Sequence, residues 1–244
     1  MTSLTEKILQ PQPDLPLTVR TGGAGKPMLI LHGGSGPDSI DPLIEHYADT
    51  HLVVAPTVPG FAGTARPDWF TGIDNLAITY LNLIESEKLD PVIVIGSSFG
   101  GWVAAEMAVR DRARTIQQLV LLDAIGPEIA GHTVAVPGTP AHRPDAPTGH
   151  EPPRQGPPPG QVATMLAYTT SAMADPQLLR RLRHVPTPTL LVWGEDDHIV
   201  PPTFGQVYAD AFPNSRFETI PGAGHITTRT HPKETLTHID AFLA

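Results

Sequence analysis

The chain contains no cysteine, which excludes a thiol nucleophile, a cysteine zinc site and a disulfide framework. Any nucleophile has to come from another side chain. Basic residues are also scarce: 16 Lys and Arg stand against 25 Asp and Glu, a formal net charge of −9. With no run of Lys or Arg, that balance argues against a surface that tracks nucleic-acid phosphates. No uninterrupted apolar stretch reaches the length of a membrane helix, and the opening Met1-Thr2-Ser3-Leu4-Thr5-Glu6-Lys7 lacks the apolar core of a secretory signal. The expectation is a cytoplasmic protein without membrane or nucleic-acid partners. Neither a dinucleotide fingerprint nor a phosphate-loop lysine is present, so no nucleotide cofactor and no metal is implied.

What is present is enough chain, 244 residues, for one α/β domain with a substantial core. Apolar runs at 28–31, 52–55, 92–95, 119–122, 190–193 and 217–220 read as buried strands. They alternate with helix-length amphipathic stretches, the pattern of a mostly parallel sheet covered on both faces. Residues 73–89 place Ile73, Leu76, Ala77, Tyr80, Leu83 and Ile84 on one helical face. A second helix is expected over 102–109, and a third over 232–244, with Pro232 in its first turn and Leu236, Ile239, Phe242 and Leu243 for docking.

The strand rhythm stops between Asp123 and Leu190, longer than an ordinary connection. This divides the chain into a core of residues 1–125 and 186–244 and a lid insertion at 126–185. The stretch 137–160 holds nine prolines and four glycines in 24 residues, with no Val, Ile, Leu, Met, Phe, Tyr or Trp. It cannot pack a core, and disorder is the expected state rather than a mobile gate. Residues 161–174 and 175–185 read as two short helices whose Val162, Met165, Leu166, Tyr168, Met173, Leu178, Leu179 and Leu182 could roof a pocket.

Chemistry enters at Ser98. The run Val92-Ile93-Val94-Ile95-Gly96-Ser97-Ser98-Phe99-Gly100-Gly101-Trp102 carries a buried strand into a glycine-flanked serine and then a helical pattern, the layout of a nucleophile elbow. Gly96 and Gly100 avoid clashes that a Cβ would cause in so tight a turn. A serine hydroxyl is a poor nucleophile near neutral pH, so it needs a base and a third group to orient that base. Trp193-Gly194-Glu195-Asp196-Asp197-His198 follows one strand and supplies a loop carboxylate. Pro221-Gly222-Ala223-Gly224-His225 follows the next and supplies an imidazole. Asp197 and His225 are the expected partners; Asp196 and Asp123 are rival acids. His198, directly after Asp197, should point away.

From about Leu17 to the end, the lid excepted, the chain resembles the α/β-hydrolase superfamily in its serine-nucleophile branch. Leu31-His32-Gly33-Gly34-Ser35-Gly36 is similar to the family's oxyanion loop, Val58-Pro59-Gly60-Phe61 to the segment after its fourth strand, and Ser98, Asp197 and His225 fall on its triad positions. The resemblance implies the α/β-hydrolase fold and an oxyanion hole formed by the backbone N–H of Phe99 and that of Gly34 or Ser35. His32 reads as a structural residue that braces the oxyanion loop rather than as a proton carrier. Thr57 stands where members often carry Asp, and the proline-rich lid departs from the family's helical lids. Serine at the nucleophile position disfavours the haloalkane dehalogenase and epoxide hydrolase branches.

The expected activity is a cofactor-independent serine hydrolase, a monomer or homodimer, acting on an ester, thioester or lactone through an acyl-enzyme. Its rate should rise with pH as His225 deprotonates, around the ordinary ~6.5. The alternatives on the same triad are carbon-carbon bond hydrolysis, acyl transfer or a biosynthetic cyclisation, besides a non-catalytic ligand-binding homologue. The opening Leu31-His32-Gly33-Gly34-Ser35-Gly36-Pro37 is similar to that of hydrolases cleaving diketone-like ring-fission products.

Overall fold

The computed structural model describes residues 4–134, 159–169 and 171–244. Its strands are β1 (Thr5–Leu9), β2 (Leu17–Gly22), β3 (Lys26–Leu31), β4 (His51–Pro56), β5 (Val92–Ser97), β6 (Ile116–Leu122), β7 (Gly126–Pro127), β8 (Ala174–Asp175), β9 (Thr189–Gly194) and β10 (Ser215–Ile220). Its α-helices are α1 (Asp41–Tyr47), α2 (Ile73–Ser86), α3 (Phe99–Arg110), α4 (Pro159–Tyr168), α5 (Leu178–Leu182), α6 (Pro202–Asp210), α7 (Thr227–Thr230) and α8 (Pro232–Leu243). Eight strands form one sheet in the order β1-β2-β4-β3-β5-β6-β9-β10. The pairs β1·β2 and β2·β4 are antiparallel, and every other neighbour pair in this sheet whose register is defined is parallel.

The apolar runs are strands because consecutive side chains leave opposite faces and both faces are covered. Leu29, Leu31, Val94, Leu119, Leu121, Leu191 and Trp193 enter one core with residues of α2, α3 and α6. Met28, Ile30, Ile93, Ile95, Val120, Leu122, Leu190 and Val192 enter the other, with Leu43 and Ile44 of α1 and Ile239 of α8. The hairpin β1·β2 was not expected: its outer strand is exposed over Thr5–Ile8 and carries no apolar run.

The chain winds outward in both directions from β3 and β5, which are hydrogen-bonded neighbours. Strand ends diverge at such a switch point, and ligands of open α/β sheets bind in the crevice there. The Gly33–Gly36 turn follows β3 and Ser98 follows β5, so both lie at that crevice.

In the insertion, one helix covers 159–168, but the second is only α5, shorter than the expected 175–185. Residues 174–175 instead pair with 126–127 as a two-stranded ladder. Of the proline-rich stretch, 137–158 lies outside the described residues.

Candidate active site

The elbow is built by sterics. Gly100 packs so closely on β3 that a Cβ would stand 2.4 Å from the Leu31 carbonyl oxygen, and one on Gly96 would stand 2.4 Å from the Gly100 carbonyl oxygen. Between them Ser98 has φ 51° and ψ −114°, a conformation that costs a residue with a Cβ about 1–3 kcal/mol. Its carbonyl accepts the N–H of Gly101 (3.0 Å) and of Trp102 (3.2 Å), so α3 starts at Phe99, three residues before the apolar pattern suggests.

Ser98 Oγ lies 2.8 Å from His225 Nε2, and His225 Nδ1 lies 2.8 Å from Asp197 Oδ2. Asp197 is fixed by its own loop, its Oδ1 accepting the N–H of Ile199 (2.8 Å) and of Val200 (3.0 Å). Its side chain is 0% exposed and that of His225 19%, so solvent and ligand reach the base but not the acid. Burial works to lower the His225 pKa, but the hydrogen bond and charge of Asp197, with the charge of Asp123, outweigh it and hold it above the ordinary value. The structure thus moves the expected titration upward from ~6.5.

Asp196 and His198 are exposed and stand outside this relay. Asp123 is wholly buried and gives its oxygens to backbone N–H groups instead, Oδ1 to Gly194 (2.8 Å) and Oδ2 to Thr227 (3.2 Å).

The loop after β3 crosses directly over the nucleophile, where a Cβ on Gly33 would stand 3.0 Å from Ser98 Cβ. Gly34 and Ser35 are the middle residues of a turn closed by the Gly36 N–H on the Gly33 carbonyl at 3.1 Å. Neither of their N–H groups has a partner among the described residues. His32 locks the turn in place: its Nδ1–H donates to the Gly33 carbonyl (2.8 Å) and its Nε2 accepts the Val58 N–H (3.0 Å). That pattern requires a neutral ring, and burial drops its pKa to about 4.

Helix α4 lies across these loops through one face. Met165 fills the space beside Gly34, where a Cβ would come within 2.6 Å of its sulfur, and Gln161 stands over Gly36. Thr164 donates to the Gly60 carbonyl (3.3 Å) and Tyr168 to the Pro59 carbonyl (2.9 Å). The spacing 161, 164, 165 and 168 is that of one helix face. Phe99, Phe70 and Tyr168 complete an aromatic wall, with ring centroids 6.1 Å (Phe99 to Tyr168) and 5.8 Å (Phe70 to Tyr168) apart.

Sequence reasoning missed a third buried carboxylate. Glu106 of α3, 3% exposed, accepts from Arg110 of its own helix and from Arg181 of α5. Arg181 also reaches Asp175 at 2.6 Å. The available signal was an acid within the apolar pattern of α3 with an arginine four residues on.

A serine, imidazole and carboxylate follow three parallel strands, beside a turn whose N–H groups have no partner among the described residues, an arrangement that belongs to the α/β-hydrolase fold. The model of the alpha/beta hydrolase family matches residues 28–237, and the chain belongs to that family. It is similar to the 2-hydroxy-6-oxo-2,4-heptadienoate hydrolase of Pseudomonas putida, 31% identical over 113 residues, a match covering 43% of this chain and only 39% of that protein. It is similar to the 2-hydroxy-6-oxo-6-(2'-aminophenyl)hexa-2,4-dienoic acid hydrolase of Metapseudomonas resinovorans over 250 residues at 27% identity, covering 87% of this chain and 82% of that protein. Among solved structures it shares its fold with a thermophilic esterase from Thermogutta terrifontis, with TM-score 0.74, 21% identity and coverage of 99% and 98%.

Proposed function

We propose that the chain is a serine hydrolase in which Ser98 attacks the carbonyl of a small-molecule substrate. The observation that carries this reading is the unbroken relay from Ser98 Oγ through His225 to Asp197, both links at 2.8 Å. His225 Nε2 takes the Ser98 proton as Oγ bonds to the carbonyl carbon, and Asp197 holds the ring in the tautomer that leaves Nε2 free. The carbonyl electron pair moves onto oxygen, where the N–H groups of Phe99 and of Gly34 or Ser35 are placed to receive it. Such a donor contributes about 10²- to 10³-fold in rate. Collapse expels the leaving group with the proton from His225. Water, activated by the same imidazole, then releases the acyl group from Ser98.

An ester, thioester or lactone fits this sequence without a cofactor. Helix α4 acts as a lid, its Met165 walling the carbonyl site. A second reading, cleavage of a carbon-carbon bond next to a ketone, is supported by the names of the two sequence relatives and uses the same attack by Ser98. Assaying p-nitrophenyl esters of graded acyl length beside a 2-hydroxy-6-oxo-dienoate separates the two. Ester turnover that vanishes in Ser98→Ala supports the first. Turnover of the dienoate alone supports the second, and no Ser98-dependent turnover of either would sink both.

A further inference from the structure

Asp123 follows β6, in the sheet between the strand that leads to Ser98 and the strand that leads to Asp197. It adopts a left-handed backbone, φ 46°, which Asp and Asn tolerate better than most residues with a Cβ. Its N–H donates to the Val192 carbonyl of β9 at 3.0 Å. Its side chain, 0% exposed, then binds two points that matter for the relay. Gly194, bonded to Oδ1 at 2.8 Å, ends β9 and opens the loop of Asp197. Thr227, bonded to Oδ2 at 3.2 Å, begins α7 two residues beyond His225. One carboxylate therefore ties the acid loop and the histidine loop to the strand end beside the nucleophile. Both oxygens are engaged with backbone, and the His225 Nδ1 is held by Asp197, so Asp123 is not the acid of the relay.

We infer that Asp123 is a positioning residue that sets the acid and histidine loops in register, and that its charge steadies the His225 imidazolium formed when Ser98 loses its proton. This rests on the relay being the working machinery. Two ionisable groups act on Asp123, His225 and Asp197; those acting on His225 are Asp197 and Asp123. Burial, with the charge of Asp197, holds the Asp123 carboxyl up at about 7 against the downward pull of the His225 charge and the two N–H bonds. A nearby protonated His225 thus favours the ionised carboxylate, and each stabilises the other's charge in a water-poor site.

The test is the second-order rate at which a fluorophosphonate labels Ser98, measured from pH 5 to 9 in the unsubstituted protein and in Asp123→Asn. Asparagine keeps the size and the left-handed tolerance but offers one acceptor where two are used, and no charge. The plateau should fall by about ten- to a hundredfold, the scale of a misplaced catalytic group. The rising limb should move to lower pH, because removing a negative charge lowers the His225 pKa. With a turned-over ester, kcat should fall more than KM changes. An unmoved limb overturns the inference whatever the plateau does, since a merely structural residue would leave it in place. Failure of the unsubstituted protein to label at Ser98 overturns the relay reading and this inference together, a result distinct from an unmoved limb. Asp123→Ser repeats the comparison with a smaller neutral acceptor. Amide exchange in the unsubstituted protein covers misfolding of both variants: the Gly194 and Thr227 N–H groups should be protected like the core strands, and free exchange at either overturns the assignment.

Discussion

The backbone of Ser98 is strained whatever side chain it carries, because φ 51° is maintained by the close packing of Gly96 and Gly100. Ser98→Ala and Ser98→Gly should both lose about 10³-fold or more in activity. Glycine should melt higher than alanine, because it alone is relieved of a strain of about 1–3 kcal/mol; equal melting would mean that the elbow relaxes. The pH profile is decided at His225. Its raised pKa means that the neutral base is reached later on titration. Thus kcat/KM should rise through a value above the ordinary ~6.5, and a midpoint below it would contradict the charge balance at the ring. Ser98, Asp197 and His225 were legible because each sits in a glycine-rich or acidic loop directly after an apolar run. Asp123 was legible only as a rival acid. An aspartate at a strand end is compatible with either role, and what separates them is which N–H groups reach it, a property of residues 71 and 104 positions away in the chain.

Among the elements, α4 and α5 anchor the insertion in different ways. Helix α4 seats on glycines 34, 36 and 60, whose missing side chains leave room for Met165, Gln161 and Thr164. Gly34→Ala should therefore displace α4 or the turn and cut activity while leaving the sheet folded, as circular dichroism and an ester assay would show; unchanged activity would mean that the turn does not bind the reacting oxygen. Helix α5 is held through Arg181 to Glu106. Removing one member of a buried pair costs about 3–5 kcal/mol when the other is trapped. Here the arginine side chains are 31% and 33% exposed and can turn to water, so Glu106→Ala should cost about 1–3 kcal/mol by urea unfolding. Five of the six parallel strands were readable because burial on both faces leaves an apolar run; the sixth, β10, is exposed or half-buried over Ser215–Thr219 and offered only Phe217 and Ile220. The β1·β2 hairpin was not readable, because an exposed edge strand needs no such run, and the short α5 was not, because residues 174 and 175, the end of one expected helix and the start of the next, pair instead with 126–127.

At the scale of the molecule, the buried ionisable groups give opposing contributions to stability. His32, with a pKa dropped to about 4, favours the fold above the unfolded value of ~6.5 and loses that contribution as pH falls toward 4. His51, only half-buried and also lowered, acts weakly in the same sense. Asp123, raised to about 7, favours the fold below the unfolded value of ~3.9 and loses that contribution as pH rises through 7. His225, raised as well, loses its contribution as pH rises from ~6.5 through its folded value. The terms oppose below pH ~6.5 and act together above it, so the melting temperature should fall between pH 6.5 and 8; a rise across that interval would contradict the balance. The fold gathers His32, Asp123 and His225 with Ser98 at one end of the sheet because the strand order reverses between the parallel neighbours β3 and β5, bringing the turn after one strand over the serine after the other. The central claim is that Ser98 is the nucleophile there. It is tested most directly by treating the protein with a fluorophosphonate, weighing it intact and mapping the adduct. The account predicts one adduct, on Ser98, absent from Ser98→Ala and slowed in His225→Ala; an adduct on another residue, or none, would contradict it.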